Sequence, residues 1–194
     1  MVRYYVALGD SVAAGFRAAP GYGYVDQLYR HLRERSPDWR LANLALPGAT
    51  TWNLGSQVRR AITYRPHLIT LDIGGNDLRR AGPDPSRIIP YSMQNLEAAL
   101  GALRRHTRAA IFIADVYNPL PPGSRLYEQA RVWIGRFNAA LARVAARHRC
   151  RVVPIGAVLA HSRGMIALDR LHPSTAGHSA IAAAFLRAGV GSLR

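Results

Sequence analysis

The sequence predicts an α/β protein, a three-layer α/β/α fold built on a parallel sheet of about five strands. Three observations predict it. Short apolar, β-prone runs alternate with longer amphipathic stretches along the whole chain. Glycine or proline stands at most of the switches between them. Polar residues of chemical use follow directly after the strand-like runs, where open α/β sheets bind ligands.

The elements follow in order. Tyr4-Tyr5-Val6-Ala7-Leu8 is apolar, short and β-prone, and Gly9 ends it. Tyr22, Val25, Leu28, Tyr29 and Leu32 fall at helical spacing, with charged residues between them. Arg40 to Leu46 is the second strand, and a short helix runs from about Thr51 to Tyr64. Leu68 to Ile73 is the third strand, closed by Gly74-Gly75. Pro83, Pro85 and Pro90 mark a loop before the stripe Met93, Leu96, Leu100, Leu103. Ala109 to Ala114 is the fourth strand. Asn118 to Gly123 holds three prolines and a glycine and fits no regular element. Ala130, Ile134, Phe137, Leu141 and Val144 form a long helix. Arg151 to Ile155 is the fifth strand, with Pro154 pointing to an edge position. The last helix starts near Pro173, which suits a first helical position, and carries Ile181 and Phe185. Five strands suggest a flavodoxin-like order, 2-1-3-4-5, which alternation alone does not fix, in one domain over residues 1–194. No internal repeat or linker interrupts it.

Composition narrows the function classes. At 49% hydrophobic, with a varied sequence, the chain is not of disordered type. Its single cysteine, Cys150, forms no internal disulfide, which suits a reducing cytoplasm. Cys150 lies between Arg149 and Arg151, which would make an exposed thiol somewhat acidic, but no partner motif surrounds it. Arg3 gives the start a positive charge, yet the apolar run after it stops at Gly9, too short for a secretory signal. No stretch approaches the ~20 apolar residues of a membrane span. A cytoplasmic protein without a transmembrane segment is expected; nothing in the sequence sets its oligomeric state. The formal charge is +15 and every cationic Lys/Arg position is arginine. The arginines are scattered, without aromatic interleaving, so no specific nucleic-acid partner is expected.

The polar residues at strand ends carry the chemistry. Asp10 and Ser11 follow the first strand, and Asn43, Pro47, Gly48 and Ala49 follow the second. Gly74, Gly75, Asn76 and Asp77 follow the third, and Asp169 and His172 precede the last helix. A parallel sheet can bring all four sets to one edge. They then supply a serine, a histidine, an acid, a backbone donor beside glycine and a side-chain amide, the inventory for acyl transfer. Competing motifs fail. Gly21-x-Gly23 lacks the third glycine of a dinucleotide loop, since Asp26 stands there. No P-loop is present, and Ala13 replaces the second glycine of a Gly-x-Ser-x-Gly elbow. No histidine, cysteine and carboxylate cluster has zinc spacing, so neither metal nor cofactor is expected.

Gly9-Asp10-Ser11, Gly48, Gly74-Gly75-Asn76-Asp77 and Asp169-Arg170-Leu171-His172 resemble the four blocks of the SGNH, or GDSL, hydrolases, in that family's order and over nearly the whole chain. The first block reads Gly-Asp-Ser-Val, without the leucine that names the family. The resemblance implies the SGNH hydrolase fold. It implies Ser11 as nucleophile, His172 as general base and Asp169 as its orienter. It also implies an oxyanion hole of the Ser11 N–H, the Gly48 N–H and the Asn76 amide. The expected activity is a serine esterase for a small-molecule ester with a short to medium acyl chain. An acyltransferase to a sugar or other alcohol is the alternative, and a non-catalytic basic binding module the second. Asp10 is expected to brace the turn. Val12, Leu78, Met165, Ile166 and Leu168 are the expected pocket residues, from their nearness in sequence to the motifs. His31, His67, His106, His148 and His161 have no motif partner and are expected at the surface, and His178 at the surface or packed.

Overall fold

A computed structural model describes residues 2–82, 84–160 and 164–193. Five parallel strands form one sheet in the order β2-β1-β3-β4-β5. They are β1 (Arg3–Gly9), β2 (Trp39–Asn43), β3 (Leu68–Asp72), β4 (Ala110–Ala114) and β5 (Arg151–Val153). The expected order therefore holds, with β5 at an edge. The helices are α1 (Tyr24–Arg35), α2 (Leu54–Thr63), α3 (Gly75–Ala81), α4 (Ile88–His106), α5 (Arg125–Arg147), α6 (Ile155–Leu159) and α7 (Thr175–Arg187).

Strand alternation builds two cores, one on each face of the sheet. Val6 and Leu8 of β1, Ile69 and Leu71 of β3, and Ile111 and Ile113 of β4 pack with α2, α4 and α5. Tyr5 and Ala7, Leu68, and Phe112 and Ala114 point the other way, towards α1, α6 and α7. A central parallel strand buried on both faces must be apolar at every position, which is why these strands read as continuous runs. Of the polar groups this buries on the sheet, the Tyr5 hydroxyl lies 2.8 Å from Thr70 Oγ1, while Asp72, at the end of β3, keeps Oδ2 without a hydrogen-bond partner among the described residues.

Several boundaries differ from the sequence reading. Strand two ends at Asn43, though the Leu44 and Leu46 N–H groups still donate to the Ala7 and Gly9 carbonyls at 2.8 and 3.0 Å. Pro90 is not in a loop but in the first turn of α4, where a missing N–H costs no intrahelical bond. Pro83 lies outside the described residues. Pro154 ends β5 two residues early and stands at the start of α6. Pro173 precedes α7 instead of opening it; Ser174 is the cap, its hydroxyl accepting from the Gly177 N–H at 3.2 Å. The short α3 and α6 have too few residues to show helical periodicity in the sequence. No described helix is long and apolar enough to cross a membrane.

The carboxyl end of β1 is held with unusual tightness. Gly9 has a φ of +136°, and a Cβ there would run into the Asp72 carbonyl oxygen, so only glycine fits. Gln57, buried on α2, caps the same residue twice. Its Oε1 accepts the Gly9 N–H at 2.8 Å and its Nε2 donates to the Gly9 carbonyl at 2.9 Å. The Ser11 loop begins from this fixed point.

Candidate active site

Ser11 sits one residue past the fixed Asp10, in a series of turns. Asp10 N–H donates to the Asp72 carbonyl at 3.1 Å, and Asp10 Oδ1 accepts the Val12 N–H at 3.0 Å. Asn43 Nδ2 reaches across from the end of β2 to the Ala13 carbonyl at 2.9 Å. Ser11 is 8% exposed, and its Oγ lies 2.9 Å from His172 Nε2.

His172 is oriented from the far side of its ring. Its Nδ1 lies 2.8 Å from Asp169 Oδ2, which fixes the proton on Nδ1 and leaves Nε2 as an acceptor. Asp169 Oδ1 accepts the Leu171 and His172 N–H groups at 3.0 Å each, and Arg17 Nε donates to Oδ2 at 2.9 Å. Desolvation works against the charge. The His172 N–H and ring, the Leu171 N–H and the Arg17 guanidinium outweigh it and hold the Asp169 carboxyl well below the usual carboxylate range. Phe16 sets its ring edge-on to His172 at 4.7 Å between centroids, and the Arg17 guanidinium lies 5.1 Å over the Phe16 ring. Tyr117 Oη donates to the Leu171 carbonyl at 2.7 Å and pins the loop from below.

Asn76 and the Gly48 loop meet beside Ser11. Asn76 Nδ2 donates to the Ala49 carbonyl at 2.9 Å and lies 3.3 Å from Asp10 Oδ2. Gly48 has a φ of +78°, and its carbonyl accepts from Arg80 Nη2 at 2.8 Å. Gly48 is not among the residues that line the Ser11 cavity, while Asn76 is. Asp77, the last residue of the third block, has a structural task. Buried, it accepts from the Thr51 N–H and hydroxyl and from the Ser92 hydroxyl, tying α3 to the segment before α2.

The cavity at Ser11 has a volume of about 530 Å³. Val12 and Leu78 line it, with Val116, Leu120, Leu126 and Trp133 as further apolar wall. The structure does not bring Met165, Ile166 and Leu168 into it. Residues 165–173 fold back as an antiparallel arm, with Ile166 bridging Pro173 and the Ala167 N–H donating to the His172 carbonyl at 2.8 Å. That arm buries part of Met165 against the α1–α7 core, sends Ile166 to a neighbouring cavity and leaves Leu168 fully exposed. Nearness in sequence was the wrong guide because a fold-back separates neighbours. The apolar wall comes instead from α5 and the proline-rich segment before it.

Buried acids surround Ser11. Desolvation pushes the Asp10 carboxyl up to about 6, against the lowering effect of the Val12 N–H and His172. Asp72 is raised well above its usual range by desolvation and by Asp10 and Asp115 nearby. Among the remaining histidines, His67 and His106 are exposed as expected. His31 and His148 are half-buried instead, and His148 Nε2 lies 2.7 Å from Glu97 Oε1. His161 lies outside the described residues. Cys150 is half-buried, and desolvation raises its thiol despite Arg104, contrary to an acidic exposed thiol.

His178 is packed, fully buried beneath Phe16. Its Nδ1 accepts the Tyr24 N–H at 3.3 Å, and its Nε2 lies 3.0 Å from the Phe16 carbonyl. Desolvation lowers its pKa below the ordinary 6.5. The folded protein therefore binds fewer protons here than the unfolded chain. This contribution is full above about pH 6.5 and is lost as pH falls through the unfolded pKa toward the folded one. The stability gap between wild type and His178→Gln is expected to shrink between about pH 7 and pH 5. Urea unfolding at both pH values measures it; a gap that widens in acid would contradict the neutral assignment.

Residues 7–180 match the GDSL-like Lipase/Acylhydrolase family. The chain belongs to this family. As a GDSL-like acylhydrolase it is a carboxylic ester hydrolase, which sets aside the binding-module alternative. It is similar to the esterase TesA of Pseudomonas aeruginosa, 27% identical over 177 residues that cover 88% of this chain and 80% of TesA. It is also similar to the spore germination lipase LipC of Bacillus licheniformis, 26% identical over 216 residues that cover 100% of this chain and 99% of LipC. Among solved structures, LAE5, an alpha/beta hydrolase enzyme from the metagenome of Lake Arreo, superposes with a TM-score of 0.78 at 26% identity, covering 100% of this chain and 98% of its own.

Besides the cavity wall, sequence reasoning missed Gln57 and Arg17 at the candidate site. Gln57 carries a readable signal, a polar residue within the buried stripe Leu54, Val58, Ala61 of α2. Arg17 carries none. It reaches Asp169 across 152 positions of sequence, and its left-handed φ of +69° depends on the turns that follow Ser11.

Proposed function

We propose that this GDSL-like hydrolase cleaves esters of short to medium acyl chains through an acyl-enzyme on Ser11, with residues 1–194 acting as one domain. The observation that carries the reading is the continuous chain from Ser11 Oγ to His172 Nε2 and from His172 Nδ1 to Asp169 Oδ2, 2.9 and 2.8 Å long, opening on an apolar cavity.

The mechanism follows from the atoms in place. Ser11 Oγ attacks the ester carbonyl as its proton passes to His172 Nε2. The imidazolium so formed keeps its Nδ1–H on the Asp169 carboxylate. The tetrahedral oxyanion takes hydrogen bonds from the Ser11 and Gly48 N–H groups and from Asn76 Nδ2. In the free enzyme both amide protons of Asn76 are engaged, one with Ala49 at 2.9 Å and one with Asp10 at 3.3 Å. The longer bond is the one exchanged for the oxyanion, since catalytic hydrogen bonds tighten only with substrate. His172 then returns its proton to the leaving alkoxide, and the C–O bond to the alcohol breaks. A water molecule, deprotonated by the same nitrogen, attacks the acyl-enzyme and releases the acid and free Ser11.

Asn76→Ala is expected to lower kcat by ~10²–10³, with a smaller change in KM, because the amide acts on charge that develops in the transition state. A large rise in KM with kcat intact would recast Asn76 as a ground-state binding residue. A panel of p-nitrophenyl esters from acetyl to palmitoyl tests the chain-length reading. Butyryl and hexanoyl esters are expected to turn over fastest, without stimulation by emulsified substrate. Palmitoyl esters turning over best would overturn it.

A further inference from the structure

We propose that Arg170, seconded by Arg79, makes the enzyme selective for esters whose alcohol portion carries an anionic group, a carboxylate or a phosphate. The inference rests on Ser11 and His172 being nucleophile and base.

Arg170 stands in the short loop between Asp169 and His172. The turn that Asp169 Oδ1 makes with the Leu171 and His172 N–H groups, with the Arg170 N–H on the Ala167 carbonyl at 3.0 Å, holds Arg170 at a φ of +57°. The residue is exposed. It lines both the Ser11 cavity and a neighbouring one of about 720 Å³, so it marks their junction. Among the described residues no carboxylate pairs with its guanidinium. Arg17 is the contrast, its charge already spent on Asp169 at 2.9 Å.

Arg79 also lines the Ser11 cavity, and its Nη2 donates to a neutral acceptor there, Asn76 Oδ1, at 3.3 Å. The cavity's own carboxyl groups do not neutralise these two cations. Asp10 and Asp72 are 5% and 7% exposed, and among the described residues neither forms an ion pair with Arg79 or Arg170. The mouth thus joins apolar walls to uncompensated guanidinium charge. A guanidinium presents paired N–H donors that fit a carboxylate or phosphate two at a time.

The side of the ester follows from the proton path. His172 gives its proton to the departing oxygen, and Arg170 lines the same cavity as His172 where that cavity meets the neighbouring one, so Arg170 borders the exit of the alcohol. The neighbouring cavity beyond Arg170, walled by Pro119, Leu120, Tyr127 and Ile166, has room for the remainder of that alcohol. The net charge of +15 adds a long-range attraction for the same substrates.

The test uses esters of one acyl chain: 4-nitrophenyl butyrate, 3-carboxy-4-nitrophenyl butyrate and 1-butyryl-glycerol 3-phosphate. The readout is kcat/KM for each anionic ester divided by that for the neutral one. Intrinsic differences between the alcohols are the same for every variant and cancel when variants are compared. The proteins are wild type, Arg170→Asn, Arg170→Lys and Arg143→Asn, the last an exposed position towards the far end of α5. Asparagine tolerates the left-handed backbone at Arg170. Arg170→Asn is expected to lower the ratio by about tenfold, the effect of losing one charge-assisted contact. Arg170→Lys keeps most of it, and Arg143→Asn leaves it near the wild-type value. The wild-type ratio falls from about 20 mM to about 500 mM salt as the Debye length shortens from roughly 20 Å to roughly 4 Å. A fall with only one of the two anionic esters identifies which group Arg170 reads. An unchanged ratio in Arg170→Asn overturns the proposal. So does an equal fall in Arg143→Asn, which would assign the effect to the overall field. Failure of the underlying mechanism looks different: wild type then hydrolyses none of the esters, or Ser11→Ala hydrolyses them all.

Discussion

Ser11→Ala is expected to lower kcat by ~10⁴–10⁶ while leaving the fold intact. The hydroxyl at 2.9 Å from His172 Nε2 is the group that forms the covalent bond in the proposed mechanism, and alanine offers nothing in its place. Stability should change by less than about 1 kcal/mol, because one part-buried hydrogen bond is lost and no packing with it. Burst kinetics with p-nitrophenyl acetate and urea unfolding measure the two quantities. His172→Ala should cost about as much as Ser11→Ala, and the double variant hardly more, since the two groups act as one unit. Retention of more than about a tenth of wild-type activity in Ser11→Ala would exclude the acyl-enzyme mechanism.

Asp169→Asn is expected to cost ~10⁴ in kcat at neutral pH. The reason lies in what the carboxylate faces. Both oxygens accept N–H groups, Oδ1 from the Leu171 and His172 backbone and Oδ2 from His172 Nδ1 and Arg17 Nε. An amide turned either way sets its NH₂ against donors. Where it faces the ring, His172 relieves the clash by moving its proton to Nε2, and that nitrogen can no longer take the Ser11 proton. Stability carries a second signature. The folded pKa of Asp169 is depressed, so its contribution is present above the ordinary unfolded value of about 3.8 and is lost as pH falls below it. The stability gap between wild type and Asp169→Asn should therefore narrow on acidification, as denaturant titrations at pH 7 and pH 3 will measure. A gap independent of pH would mean that the carboxylate charge is not what the loop is built around. Arg17→Met should cost less than about tenfold in kcat, because its side chain is 53% exposed and its charge is screened.

The sheet and the core were legible because burial on both faces forces an unbroken apolar run, as in Tyr5 to Leu8 and Ile111 to Ala114. The site was legible for a related reason. Parallel connectivity delivers every strand's carboxyl end to one edge, so residues far apart in the chain, such as Ser11 and His172, could be assigned to one place. The pocket was not legible. Leu168 precedes Asp169 by one residue and is fully exposed, while Trp133, with no motif near it, forms part of the cavity wall.

By itself the sequence determined the alternation of strands and helices, the apolar cores and which polar residues follow the strands, because periodicity and local motif chemistry are written in consecutive residues. The strand order needed the fold, and the candidate roles of Ser11, His172 and Asp169 came from the family resemblance. Only the tertiary structure decided which side chains brace Asp169, that Gln57 holds Gly9, and that α5 and the proline-rich segment line the cavity in place of Met165, Ile166 and Leu168. Those contacts join residues between 48 and 152 positions apart and depend on turn conformations such as the left-handed Arg17 and Arg170. A pairing set by how loops fold back on each other leaves no period in the chain to read.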